Sequence, residues 1–216
     1  MNELINQLFA NLDMWRHFPA YQLERRADVF FSIYLPGFLQ AEKGYDVQAI
    51  IPEFPIRVGT IHTKQDVNKS FKVDYLVKVN NPSRVLFIEL KTDNHSRRPK
   101  QDWYLEAAKD KGMRSLLLGL KNIYAATNAK NKYDHLFRSL ESANLIRLSG
   151  ENRFEVVDDQ TVISILYLQP NSTIDEDVIT FDEFAKYVGK KKDELSQRFA
   201  KSLIAWASSS VGSRAT

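Results

Sequence analysis

Three charged side chains stand where the pattern of a buried strand asks for apolar ones. In FKVDYLVKVNNPSRVLFIELKTD, residues 71 to 93, Asp74 lies on one run of β-formers while Glu89 and Lys91 end the next. Two carboxylates brought together repel, and one of them has its pKa pushed up unless a cation intervenes. Lys91 offsets part of that repulsion, and a hard divalent ion offsets more. Asp74, Glu89 and the backbone carbonyl of Leu90 supply oxygen ligands, leaving positions for water and a phosphate oxygen, the usual way Mg²⁺ is held in proteins. Such an ion lowers the pKa of its water and neutralises charge developing on a phosphoryl group. Lys91 would orient or help deprotonate the attacking water. The chemistry implied is hydrolysis.

The elements that must position these groups follow from periodicity. Residues 71–79 and 84–91 read as a hairpin joined through NNPS, a turn sequence with Asn and Pro in suitable places. Alternation puts Glu89 and Lys91 on one face with Val85 and Phe87, and Leu86, Ile88 and Leu90 on the other. Both faces begin apolar, so a central strand is expected. Antiparallel pairing places Asp74 at the end away from the turn, where Glu89 and Lys91 also lie.

Around this hairpin, helical spacing covers residues 2–15 and 21–39, with Pro36 and Gly37 expected to end or bend the second helix. Pro52 and Pro55 mark residues 45–58 as an edge or bulged strand. Pro99 opens a long helix through WYLEAAKDKGMRSLLLGLKNIYAA, with Gly112 and Gly119 as weak points. A helix is expected at 131–146. FEVV and TVISILYL, at 154–157 and 161–168, read as a second hairpin around Asp158-Asp159-Gln160. Thr180 and Glu183 form a capping box for a C-terminal helix to about residue 207. The order of helices and strands, with no internal repeat, is that of an α/β layer protein. One domain over 1–208 is expected, with a polar tail at 209–216.

Composition narrows the class. At 216 residues, 44% hydrophobic and 26% charged, the chain has the make-up of an ordinary globular domain. The absence of cysteine removes disulfides, thiolate metal sites and cysteine nucleophiles, and fits a reducing, cytoplasmic compartment. The amphipathic N-terminus does not read as a signal peptide, and no apolar run is long enough to span a bilayer. Net charge is only +3, but basic residues crowd the middle of the chain, including Arg97, Arg98 and Lys100 in NHSRRPK. Arg and Lys in that loop suit contact with nucleic-acid phosphates. No Walker A, Gly-x-Ser-x-Gly or Rossmann fingerprint occurs. The four histidines have no metal-ligand spacing, and Trp15, Trp103 and Trp206 fall on helical faces that suit a core.

Val73-Asp74, a spacer with a turn, and Glu89-Leu90-Lys91 on an apolar strand resemble the PD-(D/E)XK nuclease superfamily, with Val73 standing where the family name has proline. The resemblance covers residues 20–170 as an order of elements and three residues as a motif. It implies an α/β, restriction-endonuclease-like three-layer core: a central mixed β-sheet flanked by helices, here with extra N- and C-terminal helices. It also implies Mg²⁺-dependent cleavage of phosphodiester bonds in DNA, less often RNA, with Mn²⁺ as a substitute ion. By the same resemblance, the helix after the lysine strand would contribute Gln101 and Tyr104, and the first helix would supply Glu24 to the metal, with Asp28 as its competitor. A homodimer bringing two sites together would suit cutting of both strands.

Other readings of the same residues stay open. Glu89 and Lys91 also fit a solvated strand end, where an ion pair contributes little. Gln101 and Tyr104 also fit an exposed helix start, Glu24 a surface helix, and NHSRRPK a solvated basic loop. A catalytically silent member of the fold, binding nucleic acid or a protein, is the rival from another functional class.

Overall fold

In the computed structural model, the described residues are 2–62, 68–93, 97–150, 154–157, 161–172 and 177–209. The chain is α/β, with a five-stranded mixed sheet flanked by helices and a separate two-stranded sheet. Its residues divide into two compact units: Met1–Gly44, Leu90–Arg98 and Leu166–Thr216 form the first, and Tyr45–Glu89 with Pro99–Ile165 form the second.

In the second unit, β1 (Val47–Arg57), β2 (Ser70–Val79) and β3 (Arg84–Leu90) form an antiparallel meander. The sheet order β1-β2-β3-β6-β7, with β6 at Val162–Gln169 and β7 at Val178–Thr180, makes β1 an edge and β3 the centre. That is the placement expected from the prolines in β1 and the two apolar faces of β3. Val85 to Ile88 are all fully buried, and each such aliphatic or aromatic side chain contributes about 1.5–3 kcal/mol by leaving water. The edge strand has a register shift between Val47 and Ala49 and a positive φ of 53° at Glu53, between its two prolines.

Helix α3 (Val58–Ile61) follows β1, and α4 (Pro99–Ala126) lies against both. Gly112 breaks α4 with φ 75° and ψ 158°, as a weak point should. Gly119 has a different reason to be glycine: a Cβ there would collide with the Thr60 hydroxyl, so it lets α3 and α4 approach closely. Helix α5 (Lys130–Ser142) stops short of the expected residue 146, because Ile146–Leu148 is a strand, β4. The second hairpin is a correction. Phe154–Val156, β5, pairs with β4, whereas β6 joins the main sheet beside β3. The apolar FEVV run fits either partner by pattern, and Phe154 finds burial against Phe137 of α5, with ring centroids 5.0 Å apart. Asp158-Asp159-Gln160, expected to turn that hairpin, lies outside the described residues.

In the first unit, α1 (Glu3–Trp15), α2 (Leu23–Lys43), α6 (Phe181–Gly189) and α7 (Glu194–Ser209) bury a cluster of rings. Phe31 contacts Phe181, Phe184 and Phe199 at 5.2–5.5 Å between centroids. Of the two outcomes expected at Pro36, ending α2 does not occur: the helix runs on to Lys43 and stops where Gly44 takes φ 69°. Phe38 and Leu39, buried beyond the proline, reward that extra turn. The capping box of Thr180 and Glu183 is present, with Glu183 N–H donating to the Thr180 hydroxyl at 3.1 Å. The C-terminal helix is two helices rather than one: α6 ends at Gly189, and Asp193 caps α7 by accepting from Ser196 N–H at 2.8 Å. The tail at 210–216 lies outside the described residues.

Two contacts of this unit carry predictions. Asp13 of α1 accepts from Arg198 at 2.7 Å and from the Trp206 indole at 2.8 Å, both on α7. Asp13→Ala removes both bonds and leaves Arg198, whose side chain is only 16% exposed, without its carboxylate. A loss of about 2–4 kcal/mol is expected in thermal or urea unfolding. Asp193 is held below the usual carboxylate range by the Ser196 hydroxyl and N–H. A depressed folded-state pKa gives stability that is present above the unfolded value near pH ~4 and is lost as pH falls through the folded value. Asp193→Ala should therefore flatten the acid limb of the Tm–pH curve.

Candidate active site

The carboxylate pair comes from the meander. The β2–β3 register runs Val79↔Arg84, Lys78↔Val85, Val77↔Leu86, Leu76↔Phe87 and Tyr75↔Ile88. Continued by one step, the same register sets Asp74 opposite Glu89, since Asp74 precedes Tyr75 and Glu89 follows Ile88. Directly opposed residues share a face, with Cβ atoms about 5 Å apart. Asp74 is partly exposed at this position, and Glu89 is fully buried.

A buried carboxylate is costly unless it is hydrogen-bonded or paired. Part of the compensation comes from α4. Gln101, in its first turn, donates its side-chain N–H to Glu89 Oε2, a charge-assisted bond of the stronger kind. Pro99 at the start of α4 supplies a φ suited to a helix entrance. Tyr104, three residues after Gln101, has its ring on Phe71 at 5.0 Å and 17°, against Trp103 at 5.2 Å, and under Lys100 Nζ at 5.7 Å.

The other expected site residues belong to the first unit. Leu90 ends β3, 1% exposed, and Lys91 follows, 4% exposed, with its N–H donating to Leu168 O at 2.8 Å. A lysine so deeply buried is not the solvated strand end that a surface ion pair would require. Glu24 lies in the first turn of α2, and its Oε1 accepts a long bond, 3.4 Å, from Thr92 N–H. That contact fixes the Glu24 carboxylate beside the residue after Lys91. Asp28 is engaged with its own helix, accepting from Val29 N–H at 2.7 Å. Arg97 lies over the Tyr167 ring at 3.9 Å, while Arg98 in this unit and Lys100 in the other are exposed. Residues 94–96, including His95, lie outside the described residues.

Two residues that no motif pointed to join the Lys91 segment. Thr92 is buried, and Arg16 at the end of α1 donates to its carbonyl at 3.5 Å. Burial pulls the Arg16 pKa down, with Asp13 and Asp93 favouring the charged form. Nothing in the order of residues links positions 16 and 92. Trp15 and Trp103 are further corrections: both were expected in the core and are 38% and 49% exposed, while Trp206 is buried.

Among the described residues, no three His, Asp or Glu side chains are gathered as a metal cluster. The donor set of Asp74 and Glu89 is nonetheless the right chemistry for a hard ion that keeps most of its ligands as water and substrate oxygen. Comparison of the chain with protein-family models, curated proteins and solved structures finds no match.

If Asp74 and Glu89 are ligands, Mg²⁺ or Mn²⁺ should raise the Tm of the wild-type chain. Saturation at about a hundred times Kd stabilises by about 2.7 kcal/mol. Glu89→Gln, which keeps the shape and can still bond Gln101, should abolish that rise. An equal rise in both proteins would remove Glu89 from the metal site.

Proposed function

We propose that this chain is a divalent-metal-dependent nuclease of the PD-(D/E)XK type, with a restriction-endonuclease-like core, acting on the phosphodiester bonds of DNA. The observation that carries this reading is a fully buried Glu89 directly after Ile88, whose partner in the β2–β3 register is Tyr75, the neighbour of Asp74. The element order also agrees: α2, the antiparallel meander, α4, and then β6 beside β3. A solvated pair is disfavoured by the burial of both Glu89 and Lys91.

Asp74 and Glu89 would hold Mg²⁺, with the carbonyl of the adjoining Leu90 as a further oxygen donor; Glu24, assigned to the metal by the resemblance alone, belongs to the first unit. The ion would supply charge neutralisation at the phosphoryl oxygens and a more acidic water. Gln101 would keep the Glu89 carboxylate in one orientation. Lys91, two residues beyond Glu89 and nearly excluded from bulk water, would hold the attacking water by hydrogen bond and assist its deprotonation. Arg97, Arg98 and Lys100 would contact backbone phosphates, a role that fixes register without reading sequence.

The test is cleavage of a panel of single-stranded, duplex and structured DNA, with RNA alongside, in Mg²⁺, Mn²⁺ or EDTA. Metal-dependent cleavage is expected, with Asp74→Asn and Lys91→Ala each lowering kcat/KM by about 10²–10⁴-fold at unchanged fold by circular dichroism. A wild-type chain that cuts nothing in the panel and shows no metal-dependent rise in Tm would overturn the assignment.

A further inference from the structure

The nuclease reading leaves one cluster of side chains unused. At the start of α4 and the head of β2, rings run in contact from His62 through Trp103 and Tyr104 to Phe71. Their centroid separations are 5.7 Å, 5.2 Å and 5.0 Å in that order. The last pair is stacked, with planes 17° apart, and the first two are edge-on. All four residues belong to the second unit. Trp103 is 49% exposed, and the other three are only partly buried.

An indole left half in water by a chain that buries Trp206 to 1% is a costly use of a large apolar ring. Core packing does not account for it, since α4 buries Leu105, Ala108, Met113, Leu116 and Leu117 instead. The surroundings say what kind of partner would cover it. Lys69 and Lys72 flank Phe71 in sequence and are exposed, and Lys100 lies over the Tyr104 ring at 5.7 Å. Glu53 binds Lys72 at 2.6 Å, so the lysines left to meet an anion are Lys69 and Lys100. Flat rings edged by ammonium groups match a base joined to a phosphate: the base offers a π-face, the backbone a negative charge.

Position supports the same occupant. Gln101, which holds Glu89, is two residues before Trp103 on α4. Phe71 is three residues before Asp74 on β2, about 10 Å along a strand. Gln101 and Tyr104, three residues apart, share a face of α4, so the Tyr104–Phe71 stack follows the Gln101–Glu89 contact along that face.

We propose that Trp103, with Tyr104 and Phe71 behind it, is a stacking platform for an unpaired base of single-stranded DNA whose backbone passes the Asp74–Glu89 pair. The proposal rests on the nuclease reading for its substrate class, and it adds that the bound strand is single, at least next to the cut. A paired base in a duplex has both faces stacked on its neighbours and cannot use the platform without first being extruded.

The experiment measures binding of a fluorescein-labelled single-stranded oligonucleotide by anisotropy, in EDTA so that nothing is cut. An abasic version of the strand and the matching duplex serve as competitors. Trp103→Ala should weaken binding of the single strand by about 5- to 100-fold, Trp103→Phe should restore part of the loss, and the abasic strand should bind both proteins alike. Phe71→Leu provides a second variant that keeps the packing and loses the ring beneath Tyr104; it should weaken single-strand binding in the same direction. Equal affinity of wild type and Trp103→Ala for the single strand, or an equal loss with the abasic strand, overturns the platform. The duplex outcompeting the single strand in wild type does the same. These results are separable from failure of the nuclease reading: base-dependent binding through Trp103 without metal-dependent cleavage supports the platform and removes the enzyme, whereas cleavage unaffected by Trp103→Ala with unchanged binding does the reverse.

Discussion

A carboxylate with no exposure to solvent at the end of a doubly covered strand is the constraint on which the second unit depends. Val85 to Ile88 are buried on both faces of β3, and Glu89 continues that buried run. An ionised group there costs several kcal/mol unless hydrogen bonds or charges compensate it. The local arrangement is consistent with that requirement. The ladder from Val79↔Arg84 to Tyr75↔Ile88 sets the register that brings Asp74 level with Glu89. A slip of one residue in β3 would carry Glu89, together with Val85 and Phe87, to the opposite face of the sheet and away from Asp74. The ladder is apolar along most of its length, so the slip is opposed by the same burial that makes Glu89 expensive. Helix α4 then begins where Gln101 can reach the carboxylate.

Much of this was legible in the order of residues, for a physical reason. Period-two alternation, an Asn-Pro turn and a Thr-x-x-Glu cap are local signals, and β2, β3 and the start of α6 appear where those signals place them. The shared end of β2 and β3 on which Asp74 and Glu89 stand was legible through the same alternation. What was not legible depended on partners far away in sequence. Pro36 reads as a breaker, yet α2 continues because residues beyond it find a core. FEVV reads as half of a hairpin with the next strand, yet β5 pairs with β4, a three-residue strand hidden at the end of a helical pattern. Trp103 reads as core because indoles usually are, and only the packing of α4 shows that the apolar stripe lies elsewhere.

The contacts of the first unit give its extra helices a reason to be present. Asp13 is anchored to α7 through Arg198 and Trp206, and three residues on, along the same helix, Arg16 lies 5.9 Å from the Trp206 ring and reaches the carbonyl of Thr92. From the other side, Glu24 at the entrance of α2 takes the Thr92 N–H. Both backbone polar groups of Thr92 are thus engaged by side chains from N-terminal helices, and the N–H of Lys91 is held by Leu168. Beyond a strand end, a chain ordinarily frays, because its ladder partners run out. Here the two residues after Leu90 are buried and bonded at each available backbone position that the contacts describe. Under the function proposed above, Lys91 has to hold a water molecule in one place, and that requires a fixed backbone. The helices at the two ends of the chain supply that fixation: α1 braces the segment after Lys91, and α7 braces α1.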